Sequence, residues 1–429
     1  MTQTVKQAGT RIRGVLTIRG HAFIASGLTL LLGGLSLGFT DITRFGVLLA
    51  ALPLLAAANA TRNRNSIVAT RTVHPARSVL DQIVSVTVVL QNTSGRRTKL
   101  QLAEERVHHL LGDQRRFVLP AMKPGEIREV AYQIRSQVRG RYRLGPLTLN
   151  RLDPYGLATV TVPLPGFSDI LVLPRIEFLG RGQPRTNDIG AEGAIPHLTA
   201  LYGEDDVAVR SFRDGDDLRR IHWPSTAHRS KLMVRQEDPP ARRRAVIVLD
   251  SRTAGHQGSG TTGSFEWAVS ATASIAAHLS AHHYKFHLAC NETTAAGQAT
   301  QVVEIDDALA SLAMAQLGTS QKFDEVLTWA HPLTATGGLV IAIVTDHDEA
   351  ALRRTTTLRQ PDGTGLLILL DTASFTGSRP AVTTDRTLAL ADMVVTAGWS
   401  TCIVGSGTSV AQAWEIISAH SGVRVGTGR

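Results

Sequence analysis

With 429 residues, 43% of them hydrophobic, the chain is longer than one ordinary domain and holds enough apolar side chains for two or three cores. Its formal charge of +9 would suit a nucleic-acid partner, but seven basic residues fall in residues 1–64 against Asp41 alone. The other 365 residues hold 38 basic and 35 acidic side chains, so no basic face is expected there and nucleic-acid binding is disfavoured. Cys290 and Cys402 sit in apolar runs and read as buried free thiols, not as a disulfide framework, and no Cys/His spacing suits zinc.

The first elements are apolar. Ala22–Phe39 (AFIASGLTLLLGGLSLGF) carries no charge, and Phe45–Ala60 (FGVLLAALPLLAAANA) is a second such run with Pro53 inside. Each approaches the ~17–25 residues with which a helix crosses a bilayer, and in lipid a helix satisfies its own backbone. Thr40–Arg44 reads as the turn, so residues 1–64 are expected to be a membrane anchor with two transmembrane helices. Lys6, Arg11, Arg13 and Arg19 precede the first span; Arg62, Arg64 and Arg71 follow the second. This bias places both ends, and the soluble domains, on the cytoplasmic side of the cell membrane. Two alternatives stay open: a cleaved secretory signal at Ala58-Asn59-Ala60, opposed by the length and interruption of the apolar region, and a buried hairpin of a soluble protein.

Residues 65–165 change to period two. Ile83, Val84, Val86, Val88 and Leu90 carry a period-two pattern before the turn signal Asn92-Thr93-Ser94-Gly95, and further short strands are expected at Leu100–Glu104, Arg115–Leu119, Ile127–Ile134 and Arg141–Leu149. This spacing suggests an immunoglobulin-like β-sandwich acting as a spacer, closed by Asp153-Pro154-Tyr155-Gly156-Leu157. Residues 166–244 read as a linker, from Phe167 to Gly193, and a dense charged segment. Residues 245–429 alternate strands (Ala245–Asp250, Lys285–Cys290, Gln301–Ile305, Leu339–Asp346, Leu366–Leu370, Thr401–Val404) with helices (Phe265–His283, Asp307–Gln316, Phe323–Ala330, Ser409–His420). That pattern predicts a mostly parallel α/β sheet covered on both faces, with functional groups beyond the carboxyl ends of its strands.

The charged segment, Tyr202–Gln236, interleaves acids, arginines, His222 and Trp223 with apolar residues. Together with RGRYRLGPLTLNRLDPYGL and the strand ending LDS, it resembles the bacterial domain-of-unknown-function family fifty-eight, whose core reads R-x-Y-x-x-G-D-x-x-R-x-I-x-W-x-x-[ST]-A-R. Arg210, Gly215, Asp216, Arg219 or Arg220, Ile221, Trp223, Thr226 and Ala227 match. Phe212 replaces the tyrosine, and His228 stands at the final arginine with Arg229 one place later. The resemblance implies a C-terminal von Willebrand factor A-like doubly wound sheet, and association with MoxR-type AAA+ ATPases and transglutaminase-like membrane proteins. It implies no established enzymatic activity.

The A-like resemblance also implies a Mg²⁺ motif, D-x-S-x-S with a later Thr and Asp. Here it is degenerate: Asp250-Ser251-Arg252-Thr253-Ala254, with Thr319 and Asp346 as the remaining metal candidates. No cofactor is expected beyond that possible Mg²⁺. In the charged segment Arg213, Arg219, Arg220 and Arg235 can pair with Glu204, Asp214, Asp216 and Asp217. The readings are an inter-domain clasp, a docking surface with Trp223 as anchor, or a catalytic centre with His222 as base, for which no nucleophile is identifiable. His278 and His282 read as solvated residues on one helix face, and Gly405-Ser406-Gly407 as a tight turn. The expected function is a membrane-anchored cytoplasmic adaptor or assembly factor, not an enzyme, working with a MoxR-type ATPase in envelope protein maturation. The alternative is a metal-dependent hydrolase using Asp250, Asp346 and His222.

Overall fold

Thr17 starts the first helix with extended backbone and a side-chain oxygen that accepts from Gly20 N at 3.2 Å, an N-cap. The computed structural model describes residues 16–62, 67–153, 155–180, 208–211, 226–227, 231–236, 244–298, 300–335, 337–361, 363–377, 383–419 and 423–426. The chain divides into two compact units after Val172.

In the first unit, α1 (Ile18–Leu37) ends at Gly38, whose φ of +73° suits glycine and whose N–H donates to the Gly34 carbonyl. After Phe39, α2 (Thr40–Arg62) begins at once, with Pro53 inside it. The expected turn at Thr40–Arg44 is therefore helical; Gly38 alone supplies the reversal, and Asp41 sits in the first turn where the helix dipole favours an acid. Both helices are long and apolar enough to cross a membrane. Gly20, Gly27 and Gly34 are buried on one face of α1, two turns apart. A Cβ on Gly27 would stand 2.7 Å from Ala50 N and 2.8 Å from the Gly46 carbonyl oxygen, and one on Gly46 would stand 2.6 Å from Leu31 N. The two backbones touch directly, the contact that drives helix association where lipid is as apolar as leucine. Leu28, Leu32, Leu35, Leu48, Leu54 and Leu55 are exposed.

The same N-cap fastens α1 to the β-rich part of this unit. Thr17 N donates to the Leu157 carbonyl at 3.0 Å, Thr17 Oγ1 donates to the Gly156 carbonyl at 2.6 Å, and Leu16 bridges Ala158. Asp153 shapes the acceptor turn: its Oδ1 accepts from Leu157 N at 2.6 Å and Ala158 N at 3.1 Å, and Gly156 takes a φ of +69°. Gly20 lies so close to the Leu157 carbonyl that any Cβ would collide. The turn at Asp153–Leu157 is thus the seat of α1 as well as a boundary.

Ten strands follow: β1 (Ile67–His74), β2 (Arg77–Val79), β3 (Val84–Asn92), β4 (Gln101–Glu105), β5 (Arg115–Leu119), β6 (Ile127–Ile134), β7 (Gly140–Leu144), β8 (Leu147–Leu152), β9 (Thr159–Leu164) and β10 (Ser168–Leu173). They form sheets β1-β3-β6, β5-β4-β8-β9 and β2-β10-β7. The period-two alternation of β3 turns Val84, Val86, Val88 and Leu90 into a core shared with Ala103, Leu144, Leu149 and Ile170. The single strand expected over Arg141–Leu149 breaks into β7 and β8 at Gly145, whose φ is +96°. The expected linker at Phe167 instead begins with β10, where Ile170 pairs with Tyr142 of β7; the prolines at 163 and 165 mask that strand in the sequence. Within the core, Arg71 and Glu105 pair at 2.6 Å with both side chains buried, and burial, offset in part by Arg71, pushes the Glu105 carboxyl up.

In the second unit β11 (Ala208–Ser211) pairs antiparallel with β12 (Met233–Gln236). The large sheet is built from β13 (Arg244–Leu249), β14 (Lys285–Ala289), β15 (Leu339–Thr345), β16 (Thr364–Leu370), β17 (Ser400–Val404) and β18 (Val423–Gly426), parallel throughout, in the order β14-β13-β15-β16-β17-β18. Its helices are α3 (Ser264–Ala281), α4 (Asn291–Ala295), α5 (Ile305–Met314), α6 (Ser320–Thr334), α7 (Glu349–Thr356), α8 (Asp385–Thr396) and α9 (Val410–Ala419). Ile247, Leu249, Ile341 and Ile343 face α3, α5 and α9; Val246, Val248, Val340 and Val344 face α6, α7 and α8. Near-continuous apolar strands are what a sheet covered on both faces requires. For this sheet and its helices the sequence reading lacks α4, α7, α8 and β18. Gln301–Ile305 is not a strand: Val303 N makes a single bond to the Phe286 carbonyl, and α5 starts at Ile305. Residues 175–177 strap this unit, with Ser270 Oγ donating to the Arg175 carbonyl at 2.8 Å and Glu177 Oε2 accepting from Val410 N at 2.9 Å at the start of α9.

If glycine contact holds α1 to α2, Gly27→Leu lowers the unfolding temperature of the detergent-solubilised protein, at a cost of about 1–3 kcal/mol from overpacking. Gly33→Leu, at a position with nothing within 4 Å, leaves it unchanged. Equal responses of the two variants would refute the contact.

Candidate functional site

The carboxyl ends of β13 and β15 flank the point where the strand order reverses, the place where open α/β sheets put their functional groups. Asp250, one residue past β13, is fully buried. Its Oδ1 accepts from Arg252 N and Arg252 Nε, both at 3.0 Å, and its Oδ2 from Arg252 Nη2 at 2.7 Å and Thr345 Oγ1 at 3.0 Å. Arg252, itself 2% exposed, also donates from Nη1 to Asp348 Oδ2 at 2.9 Å, and its guanidinium stands 4.8 Å from the Phe323 ring centre. Asp348 in turn caps α7 through its other oxygen, which accepts from Ala350 N at 2.9 Å. Burial alone would raise the Asp250 carboxyl, but the hydrogen bonds and charge of Arg252 outweigh it and hold the group below the ordinary carboxylate range. A buried ion pair is tolerated when its remaining polar atoms are bonded in this way.

The Mg²⁺ implied by the A-like resemblance does not fit here. A hard cation needs oxygen lone pairs, and the guanidinium covers both oxygens of Asp250. The four metal candidates fall into separate networks. The Ser251 carbonyl accepts from Gly318 N at 2.7 Å while its hydroxyl is buried without a partner. Thr319 is the N-cap of α6. Asp346 accepts from Thr372 Oγ1 at 2.8 Å and Thr387 Oγ1 at 2.9 Å. Among the described residues no group of three His, Cys, Asp or Glu side chains is disposed to hold a metal ion. The cause is Arg252 and Ala254 at the two positions where hydroxyls would complete the set.

Of the signature residues, Arg210 lies on β11 opposite Val234, and Thr226 and Ala227 are helical. Phe212, Arg213, Gly215, Asp216, Arg219, Arg220, Ile221, His222, Trp223 and Arg229 lie outside the described residues.

The sequence reading missed His256 and Ser264. His256 Nε2 lies 2.9 Å from the Asp250 carbonyl, which can only accept, so Nε2 carries the hydrogen. Nδ1 lies 3.0 Å from Ser264 Oγ, and burial lowers the pKa of His256. Between them Gly258-Ser259-Gly260-Thr261-Thr262-Gly263 spells G-x-G-x-x-G after a strand and before a helix, a spacing that could have drawn attention to this loop. The loop closes on itself: Gly263 N donates to the Gly260 carbonyl, Ser264 N to the Gln257 carbonyl, and a Cβ on Gly258 would meet the Phe375 carbonyl at 3.0 Å.

Asp371, one residue past β16, was also missed. It is 2% exposed, its Oδ1 has no hydrogen-bond partner, and burial, together with the charge of Asp346, pushes its carboxyl up. Of the two histidines expected on a solvated face, His282 is exposed and His278 is not. His278 is half-buried, its ring 4.2 Å from that of His282 and 5.4 Å from Trp414 of α9. The glycine turn lies where expected, with Thr408 N bonded to the Gly405 carbonyl and Gly407 at a φ of +92°. Both cysteines are buried and free, and burial pushes Cys290 up to about 11.

Breaking the central pair with Arg252→Met leaves Asp250 buried and uncompensated, and costs about 3–5 kcal/mol in denaturant unfolding. Asp250→Asn on the Arg252→Met background recovers part of that loss. A cost below about 1 kcal/mol would show that the pair does not hold the strand ends.

A second outcome concerns acid. Burial, with the charge of His282, lowers His278 from 6.5 to about 4. The unfolded chain takes the proton first, so the stability contributed by neutral His278 is present above about 6.5 and is lost as pH falls toward about 4. His278→Asn therefore loses less stability than the parent between pH 7 and pH 5, measured by thermal unfolding; parallel losses would contradict the assignment.

Comparison with known proteins adds one positive result. Residues 208–302 match the profile of the family described as Protein of unknown function DUF58. No curated protein matches the chain. Among solved structures, the CARDB domain of the PF1109 protein from Pyrococcus furiosus aligns with 24% of this chain and 90% of its own, at 13% identity and a TM-score of 0.18. The ApaA protein from Bordetella pertussis aligns with 29% of this chain and 96% of its own, at 15% identity and a TM-score of 0.19. The C-terminal domain of Wzt covers 30% of this chain and 87% of its own, at 9% identity and a TM-score of 0.21. Likenesses at that level carry no argument about fold or function. The matched segment runs from the charged signature into the first strand and helix of the parallel sheet, and over those residues the chain is similar to the DUF58 family.

Proposed function

We propose that the protein is a membrane-anchored cytoplasmic adaptor or assembly factor. In this reading α1 and α2 hold it in the cytoplasmic membrane with both ends inside, an immunoglobulin-like β-sandwich acts as spacer, and the parallel sheet is a von Willebrand factor A-like domain that docks a protein partner. The partner suggested by family resemblance is a MoxR-type AAA+ ATPase, with a transglutaminase-like membrane protein in the same system and envelope protein maturation as the process.

The observation that supports docking over catalysis most directly is the closed network of Asp250, Arg252, Thr345 and Asp348. At the sheet position where a reactive group or metal would sit, the carboxylate has its lone pairs engaged and its charge matched. Such a group is a poor general base, and a fixed network is well suited to presenting a rigid surface. The metal-dependent hydrolase built on Asp250, Asp346 and His222 draws no support from this geometry.

The test is co-purification of the full-length protein from detergent-solubilised membranes of its own bacterium. Recovery of an AAA+ ATPase, reduced at least tenfold by Trp223→Ala while the fold is retained, supports docking. Failure to recover any such ATPase, with intact envelope proteins after deletion of the gene, overturns it.

A further inference from the structure

A cavity of about 220 Å³ opens at the amino ends of β13 and β15, beneath the last turn of α6 and at the opposite end of the sheet from Asp250. Its floor is Val246 and Val340, which belong to the face covered by α6, and Pro332 and Leu333 of α6 form a wall. Arg244 and His287 supply the polar side. Strand alternation explains the placement. Arg244 stands two residues before Val246 and so on its face, and His287 of β14 is the register partner of Val246. The site is open to solvent, with Arg244 exposed and His287 half-buried on the edge strand of the sheet.

The two polar groups offer different chemistry. His287 Nδ1 lies 2.9 Å from the Gln301 carbonyl, which can only accept, so Nδ1 carries the hydrogen and Nε2 is the free ring nitrogen. Burial lowers the pKa of His287, the bond to Gln301 opposes that in part, and the charge of Arg244 lowers it further. The ring is therefore neutral at neutral pH, with a lone pair on Nε2. Arg244 brings a permanently charged guanidinium that can hold both oxygens of a carboxylate. Lys285, its register partner, starts β14 at the same edge. Among the described residues none of these three makes an ion pair. Thr334 Oγ1 in the wall donates to the His331 carbonyl, and among the described residues no thiol, carboxylate or free hydroxyl lines the cavity, so its groups are suited to binding and not to reaction.

We propose that this cavity is a binding site for a small hydroxy acid with an apolar body. Arg244 takes the carboxylate, His287 Nε2 accepts from the hydroxyl, and the body lies against Val246, Val340, Pro332 and Leu333. An apolar pocket with a few convergent polar groups is the usual form of a small-molecule site. The volume sets the size of the occupant. A cavity of about 150 Å³ already admits benzene, so 220 Å³ takes one ring, or a short branched chain, together with its carboxylate. The polar groups set its chemistry. A second carboxylate would meet the lone pair of His287, and inorganic phosphate would leave the apolar floor uncovered. The site is independent of the adaptor reading, because it lies at the end of the sheet away from the crest.

The experiment is calorimetric titration of the full-length, detergent-solubilised protein with mandelate and with phenylacetate, which lacks only the hydroxyl. One saturable site is expected, with mandelate bound about fivefold more tightly, the worth of one hydrogen bond. Arg244→Gln weakens both acids by about tenfold or more, since a charge-assisted bond is lost. Lys322→Gln, in the first turn of α6 and so at its other end, leaves both unchanged. His287→Phe removes the preference for mandelate and keeps phenylacetate binding. Because Arg244 is exposed and His287 half-buried, both variants are expected to unfold at the temperature of the parent, which separates loss of the site from loss of the fold. Absence of saturable binding, binding that Arg244→Gln leaves intact, or equal affinity for the two acids overturns the proposal.

Discussion

A single guanidinium organises the top of the parallel sheet. Arg252 reaches back to Asp250 at the end of β13, across to Thr345 at the end of β15, and on to Asp348, which starts α7. Asp250 is buried completely, and an unpaired charge there would cost several kcal/mol. Its local sequence solves this within two residues, because Asp250-Ser251-Arg252 folds the arginine onto the acid. The solution also fixes what the site can do. A carboxylate whose oxygens are both taken by a covalently tethered cation neither binds a metal nor accepts a proton at neutral pH.

In the helical hairpin of the first unit, the constraint is backbone proximity. Both helices carry apolar side chains outward and touch through their backbones at Gly27 and Gly46, the kind of contact that associates apolar helices. Glycine acts again where the hairpin meets the β-rich region: Gly20 must come against the Leu157 carbonyl, and Gly156 must take a positive φ to aim its own carbonyl at Thr17. Asp153 holds that turn through two backbone amides. A short motif therefore sets the point at which the first helix leaves the β-rich region.

Much of the architecture was legible from periodicity. Val84 to Leu90 alternate because one face of β3 is buried, and Ala245–Leu249 and Leu339–Thr345 are unbroken because both faces are. What escaped has physical reasons. α7 and α8 are short helices whose exposed faces are charged, so only Ala351 and Leu352, or Leu390, Ala391 and Val394, mark the buried stripe. β10 hides behind prolines. Thr40–Arg44 looked like a turn because Asp41 and Arg44 are charged, yet both are exposed at the helix start and cost little there. In the site, the replacement of a hydroxyl by Arg252 was readable, but not the choice of Asp348 and Thr345 as its further partners, which depends on strand order. Asp371 was invisible because a lone acid after an apolar strand looks the same whether solvated or buried.

That last residue separates two ways in which the fold treats buried charge. Arg71 meets Glu105, and Arg252 meets Asp250, at 2.6 and 2.7 Å, the first pair joining β1 to β4 and the second closing within two residues of chain. In both, the acid's compensation is built into the sequence. Asp371 and Asp346 break the pattern: Thr372 and Thr387 donate to Asp346, the backbone amides of Ala373 and Ser374 bond Asp371, and among the described residues neither acid makes an ion pair. Neutral donors orient a carboxylate without matching its charge, and burial, with the charge of Asp346, pushes the Asp371 carboxyl up. Where the chain supplies its own cation, as at Asp250, the buried acid is held ionised, and where it supplies only neutral donors, as at Asp371, burial favours the protonated form.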